Sequence, residues 1–168
     1  MVQGSLSRTW GPRGQQPKVP TSGKRKGMKV FGVIEVEHGD FLYQECDEKF
    51  DGPAYVRFLK YVLSVYAGPV FLIEDGASYH GGPVVNAFKE EMKAARRLVV
   101  NRLPTYSPDK NPIEKLWKNT KKEATHCRYF ATFEELRQAV LGAFEQYLHD
   151  ASKVICVMKK LRRQARFA

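Results

Sequence analysis

Three features are scarce in this chain of 168 residues: cysteine, long apolar runs, and acidic side chains near its start. The three cysteines form no CxxC pair and no zinc-type spacing with histidine, which excludes a disulfide framework and predicts buried, reduced thiols. No apolar run reaches the roughly 20 residues that cross a bilayer. The polar residues 1–27 contain no apolar signal-peptide core. We therefore expect a cytoplasmic protein that does not associate with a membrane.

Basic residues dominate both ends of the chain. Lys and Arg number 28 against 18 Asp and Glu, which gives a net charge of +10. Residues 1–29 contain seven basic and no acidic residues, residues 30–103 carry a net charge of −3, and residues 104–168 one of +6. Two basic ends around an acidic middle favour a polyanionic partner, most simply nucleic acid. The alternative is a basic tail that only keeps the protein soluble.

The middle of the chain predicts alternating strands and helices. Two β-rich runs around the turn at residues 38–40 predict a β-hairpin, and Asp51 is placed to cap the helix that follows. The continuous apolar run 70–73 predicts a strand covered on both faces. A helix over 83–97 and a short strand over 98–100 follow. This strand–helix order predicts an α/β fold with a partly parallel sheet.

Helices are predicted for the rest of the chain. The first begins at Asn111 and reaches about residue 125. The second has a capping-box start at Thr132 and reaches about residue 148. The third begins at Asp150 and carries basic residues on its outer face.

Two acidic residues stand where α/β sheets place functional groups. Asp75 follows the apolar run, at the predicted carboxyl end of a strand. Glu114 lies at the helix start that follows Leu103, where Asn111 and Pro112 also fit an ordinary helix start. Carboxylates at neighbouring strand ends could share a hard cation such as Mg²⁺. The alternative for Asp75 is a turn former or a helix cap.

Three stretches of sequence carry a family resemblance. Residues 106–117 read YSPDKNPIEKLW and resemble the SPDLNPIE signature of the Tc1/mariner and IS630 transposases, with Lys110 where leucine is usual. Residues 73–80 read IEDGASYH and resemble the Asp-Asn-Ala-x-x-His segment of that superfamily, with Gly76 in place of asparagine. Residues 8–14 read RTWGPRG and resemble the Arg-x-Trp-x-Pro-x-Gly stretch of the IS630 group. The three stretches occur in the family's order.

The resemblance implies an RNase H-like fold, a mixed α/β sheet flanked by helices, with an Asp-Asp-Glu triad that binds Mg²⁺ or Mn²⁺. By position, Asp75 would be the second acid and Glu114 the third, both catalytic and both metal ligands. His80 matches the family's histidine and is expected to neighbour the active site, unless it caps the following helix. The first acid belongs before residue 8, but the first acidic residue is Glu35. We therefore expect the first strand to be missing and metal binding to be weak.

The partner that the resemblance implies is double-stranded DNA, as transposon ends and as target. Phosphate contacts give affinity without sequence choice, and basic residues in the arm and on the helix from residue 111 are candidates for them. These candidates are Arg13, Lys24, Arg25, Lys26, Lys118, Lys121 and Lys122. The alternative is ordinary solvated charge. The expected protein partners are a second copy of this chain or a full-length transposase.

These observations predict three regions. Residues 1–27 form a basic Gly/Pro-rich arm, residues 28–126 a partial RNase H-like catalytic core, and residues 127–168 a C-terminal helical extension with a basic tail. The expected function is that of the catalytic domain of an insertion-sequence DDE transposase, incomplete because the first aspartate is absent. The alternatives are an inactive remnant that binds DNA or inhibits a transposase, and a pseudogene product. DNA binding would place the protein at the nucleoid.

Overall fold

The computed structural model describes residues 12–15, 18, 27–104, 107 and 110–165, and side chains as far as Lys159. Its strands are β1 (Val30–Ile34), β2 (Phe41–Glu45), β3 (Val70–Glu74) and β4 (Leu98–Arg102). Its α-helices are α1 (Gly52–Val65), α2 (Pro83–Ala94), α3 (Pro112–Thr120), α4 (Phe133–His149) and α5 (Ala151–Ala165). A 3-10 turn covers Ser78–His80 and a π-helical turn covers Lys121–Thr125. Among the residues so described, every helix is too short or too polar to span a bilayer.

Contacts group the chain into two units. The first, the sheet unit, consists of Lys29–Val33 and Leu42–Pro112. The second, the helical unit, contains Ile34–Phe41 and Ile113–Ala168, together with the described residues before Lys29. The three regions predicted from composition (the arm, the catalytic core and the helical extension) do not coincide with these two contact-based units, and they stay a prediction.

The β-hairpin is formed by β1 and β2, as predicted. The backbone N–H of Cys46 donates to the carbonyl of Lys29 at 2.9 Å, and that of Glu35 to the carbonyl of Asp40 at 2.8 Å. Partner numbers that run in opposite directions make the pair antiparallel. Gly39 in the turn has φ of 86°, and a Cβ there would lie 2.8 Å from the carbonyl oxygen of Ala151. Only glycine meets both requirements without strain.

Helix α1 covers the core of the sheet unit. Its predicted cap is confirmed, since the N–H of Ala54 donates to Oδ1 of Asp51 at 2.9 Å. Its buried face contains Tyr55, Phe58, Leu59 and Val62. The carbonyls at its other end accept from the Arg97 guanidinium, which lies 2.7–2.9 Å from the oxygens of Leu63, Tyr66 and Ala67. These carbonyls lack partners within the helix, so the distant arginine completes its end.

Strands β3 and β4 form the predicted parallel pair, with Val70 beside Leu98 and Glu74 beside Arg102. The prediction that β3 is covered on both faces is wrong. Leu72 and Glu74 are buried, whereas Phe71 is 74% and Ile73 61% exposed. Successive side chains of a strand point to opposite faces, and a run that is apolar throughout does not reveal which face is covered.

The helical unit has its own apolar core. The ring of Phe41 lies 5.5–6.1 Å from the rings of Trp117, Phe144 and Tyr147. The predicted cap of α4 is confirmed, because Thr132 Oγ1 accepts from the N–H of Glu135 at 3.2 Å. The buried face of α5 contains the apolar residues Val154, Val157 and Met158.

The cysteines only partly match their prediction. None of the three is bonded in a disulfide, but only Cys46 is buried, and Cys127 and Cys156 are exposed. Spacing excludes particular metal or disulfide patterns, but it does not determine which side of a helix or turn a thiol occupies.

Candidate active site at the end of strand β3

Asp75 lies at the carboxyl end of the parallel strand β3, as predicted. Its Oδ1 accepts the backbone N–H of Ala77 at 3.0 Å, and its side chain is 44% exposed. No described residue donates a hydrogen bond to its other oxygen, Oδ2. The carboxylate is therefore held by one oxygen and open at the other.

The His80 ring holds the same oxygen of Asp75. Its Nδ1 lies 3.0 Å from Asp75 Oδ1 and 3.0 Å from the Asp75 carbonyl oxygen. Because both neighbours are acceptors, Nδ1 must carry the hydrogen. The ring packs against those of Tyr55 and Tyr79, with centroids 4.4 and 4.5 Å away. It does not cap α2, because the N-cap residue of that helix is Gly82, and no side chain there accepts from the backbone.

A second carboxylate, Glu74, is buried beneath this turn with only 5% of its side chain exposed. Lys89 Nζ lies 2.7 and 2.9 Å from its two oxygens, and Tyr55 donates its hydroxyl at 2.8 Å. Arg102 approaches to 3.7 Å. Burial and the charge of Glu74 raise the pKa of Tyr55 far above its ordinary value, so the phenol stays a neutral donor.

The candidate site residues predicted from the sequence did not include Glu74, Lys89 or Tyr55. One signal for Glu74 was available, because a period of two places it on the same face of β3 as the buried Leu72. A charged residue on a buried face requires a partner. The identity of that partner had no comparable signal, since Lys89 is 15 residues away on an amphipathic helix.

Glu114 stands in the first turn of α3 with an exposed side chain. The partial positive charge at a helix N-terminus favours a carboxylate there. It belongs to the helical unit, whereas Asp75 belongs to the sheet unit. That the two share a metal ion stays a prediction.

The family model of the DDE superfamily endonucleases matches residues 2–137, most of the chain. The chain belongs to the DDE endonuclease superfamily. No curated protein sequence matches it significantly.

Among solved structures, this DDE domain is similar to a chain of the "Crystal structure of the Mos1 Strand Transfer Complex". The TM-score is 0.62 and the sequence identity 16%, over 97% of this chain and 48% of that one. The DDE domain thus spans about half the length of that protein. The likeness confirms the expected fold class, an RNase H-like α/β architecture with helices after the sheet.

Asp75 and Glu114, each within its own unit, offer carboxylate oxygens of the kind that a hard divalent cation prefers. Oδ2 of Asp75 is open, and no described residue donates a hydrogen bond to the exposed Glu114 carboxylate. Mg²⁺ prefers oxygen ligands and keeps several waters, which suits partly exposed carboxylates. The protonated Nδ1 of His80 has no lone pair to offer, so through this atom His80 orients Asp75 and does not bind metal.

A different set of metal-type side chains comes together in the hairpin turn, at Glu35, Glu37 and His38. Burial acts to raise the pKa of Glu35, but the backbone amides of His38, Glu37 and Gly39 outweigh it and lower that pKa. The amides of Glu37 and Gly39 donate to the Glu35 carboxylate at 2.7 and 3.2 Å. The carboxylate therefore has a structural role in the turn.

The predicted phosphate contacts are described only in part. Arg13 is exposed, as are Lys118, Lys121 and Lys122 on α3 and the π-helical turn. Spacings of three and four residues place these lysines close together on one side of the helix. Lys24, Arg25 and Lys26 lie outside the described residues, as does most of the stretch 8–14.

Proposed function

We propose that this DDE domain is the catalytic domain of an insertion-sequence transposase of the IS630 and Tc1/mariner type. It would cleave DNA at the ends of the element and join the freed 3′-hydroxyl to target DNA. One observation carries the proposal: Asp75 at the end of β3 is held by one oxygen and open at the other. The YSPDKNPIE stretch, which lies within the family match, supplies Glu114.

Asp75 and Glu114 would hold Mg²⁺ or Mn²⁺ through their carboxylate oxygens. The bound metals would activate the attacking oxygen and stabilise the leaving oxygen of the phosphodiester. The protein's part is to orient its ligands. Asp75 presents Oδ2 because its Oδ1 is already engaged by His80 and by the N–H of Ala77.

A third carboxylate is required by the proposal. Residues 1–34 contain no acidic residue, so the family's first aspartate has no counterpart among them. Without it, two carboxylates would hold the metals beside a phosphate. We expect residues 1–168 alone to bind metal weakly and to cleave DNA slowly or not at all.

Double-stranded DNA is the proposed substrate. The chain has a net charge of +10, and Lys118, Lys121 and Lys122 offer exposed ammonium groups that no described acidic side chain pairs. The similar structure is a strand transfer complex, and we extend that role to this chain as part of the proposal. Pairing with a second copy or with a full-length transposase also belongs to the proposal.

A second candidate is favoured by the lack of an acidic residue among residues 1–34. The chain would then be an inactive remnant that binds DNA or inhibits a complete transposase. It shares the basic surface with the first candidate but needs no metal chemistry.

The experiment compares nicking of supercoiled DNA in Mn²⁺ by the chain and by its site variants. Asp75→Asn and Glu114→Gln should abolish nicking, whereas Glu90→Gln, an exposed acid on α2, should not. Nicking that survives both site substitutions contradicts the assignment. Gel shifts with duplex DNA across a salt series test the second candidate, because phosphate-driven binding weakens steeply with salt. No binding at low salt excludes it.

A further inference from the structure

Lys89 of α2 contacts both ends of the short turn that runs from Glu74, at the end of β3, to His80. Its ammonium donates to both Glu74 oxygens at 2.7 and 2.9 Å, and to the carbonyl oxygen of His80 at 2.8 Å. An ammonium has three donors, so all of them are used. The side chain is 14% exposed, which leaves water little access to these bonds.

Glu74 holds the Lys89 ammonium in one position. Its carboxylate is buried at the end of β3 and also accepts the hydroxyl of Tyr55. A buried charge must stay paired, so the position of Lys89 Nζ is determined by the strand and by α1. The third donor of Lys89 then fixes the carbonyl of His80 relative to β3.

The contact continues from His80 to Asp75. With its carbonyl held by Lys89, the histidine packs its ring between Tyr55 and Tyr79. The ring nitrogen Nδ1 then meets Asp75 Oδ1 at 3.0 Å. A continuous set of contacts therefore runs from the helix α2 to one oxygen of the candidate metal ligand.

We propose that Lys89 is a positioning residue for Asp75. Acting through the backbone and ring of His80, it keeps Oδ1 engaged and leaves Oδ2 directed outward for a divalent cation. This positioning role of Lys89 rests on the proposed metal role of Asp75. The competing explanation is that Lys89 only neutralises Glu74 and supports the fold.

The test uses the full chain, with Lys89→Met against Lys93→Met. Lys93 lies one turn further along α2 and is exposed, so its substitution removes the same charge away from the contact. Two readouts are taken at fixed pH: the NMR signal and solvent exchange of the His80 Nδ1–H without metal, and Mn²⁺ affinity from water-proton relaxation.

We expect Lys89→Met to accelerate exchange of the His80 Nδ1–H and to weaken Mn²⁺ binding by about 10–100-fold, the usual effect of losing a partner behind a metal ligand. Lys93→Met should change neither readout. Lys89→Arg should recover the charge pair with Glu74 but only part of the affinity, since its fork fits the three acceptors differently.

A third variant separates positioning from stability. Glu74→Gln combined with Lys89→Met removes both buried charges, and such replacements are often tolerated. If the double variant folds and still binds Mn²⁺ weakly, the lost contact to His80 is responsible. If a folded Lys89 variant binds like the wild type, or if Lys93→Met weakens binding equally, the positioning role is wrong.

Failure of the proposed function has a different signature. If the wild-type chain shows no Mn²⁺ binding that Asp75→Asn removes, the metal role of Asp75 fails. The His80 signal still tests the contact from Lys89 in that case, because it needs no metal. An unchanged His80 signal in Lys89→Met would overturn the inference by itself.

Discussion

Asp75 and Glu114 have the same proposed role in contrasting surroundings. Asp75 is tied through His80 to Lys89, and Lys89 is anchored on the buried Glu74. Glu114 is an exposed side chain on the first turn of a helix. One carboxylate is oriented by contacts within the protein, whereas the other is exposed and receives no hydrogen bond from a described residue. Substitutions around the first should therefore disturb folding as well as binding, and substitution of the second should disturb binding alone.

Breaking the buried ion pair between Glu74 and Lys89 should have the largest effect on stability. Lys89→Met leaves the Glu74 carboxylate, 5% exposed, without its nearest cation. An uncompensated buried charge costs about 3–5 kcal/mol, so the free energy of unfolding should fall by that amount. Urea unfolding followed by circular dichroism measures it, with Lys93→Met as control. A loss no greater than in the control would mean that Glu74 does not depend on Lys89.

Strand β3 allows a comparison of its two faces. Leu72→Ala removes a buried side chain and should cost about 2–5 kcal/mol. Phe71→Ala removes a larger but exposed side chain and should change stability by less than about 0.5 kcal/mol. The same unfolding measurement applies. Equal losses would restore the interpretation that both faces of the strand are covered.

The hydroxyl of Tyr55 is the neutral partner of the buried Glu74 carboxylate, beside the charged partner Lys89. Tyr55→Phe keeps the ring but removes the bond to Glu74, and bonds to charged groups contribute about 1.5–3 kcal/mol. Since burial and Glu74 raise the pKa of Tyr55, its stabilising effect is complete below the pKa of an unfolded tyrosine, 10.0, and is lost as the pH rises above it.

Stability measured against pH checks this sign. The wild type should lose more stability above pH 10.0 than Tyr55→Phe does. Parallel alkaline curves would mean that the phenol does not contribute in this way.

Helix caps provide a smaller test in each unit. Asp51→Ala at α1 and Thr132→Ala at α4 each remove a side-chain acceptor for a backbone N–H. Each should lower the free energy of unfolding by about 1 kcal/mol. Asn at either position should restore most of the loss, because it also caps helices. Failure of that rescue would assign the effect to something other than capping.

Glu114→Gln should have the smallest effect on folding. The side chain is exposed, so stability should change by less than about 0.5 kcal/mol. If it is a metal ligand, the same substitution should weaken Mn²⁺ binding to the chain. A stability loss as large as that of Lys89→Met would remove the contrast between the two carboxylates.

Much of the fold was predictable because its signals are local. The hairpin, the caps at Asp51 and Thr132, and the parallel pair β3 and β4 depend on turn residues, side-chain spacing and element order. The signals for the hairpin and the caps lie within a few residues of one another along the chain, whereas the pairing of Val70 with Leu98 follows from the order of the elements. The predicted sheet coverage failed because a run of four apolar residues has the same pattern for one covered face as for two.

The residues of the candidate site also fall into those that the sequence predicted and those that only the structure revealed. Asp75 was found from its place after an apolar strand, and Glu114 from a motif. The role of His80 was suggested by a motif, but its contact with Asp75 required the structure. Lys89 and Tyr55 carried no sequence signal, since their shared partner Glu74 is 15 and 19 residues away.

By itself, the sequence determined the order of the elements and the basic character of both ends. It also indicated the two candidate metal ligands, Asp75 and Glu114. Propensity, capping and charge act over short distances, so they can be read along the chain. Only the tertiary structure decided that Glu74 is buried, that Lys89 pairs with it, and that the pair holds the turn behind Asp75. A buried charge is stable only beside a partner, and which partner reaches it depends on how helices pack onto the sheet.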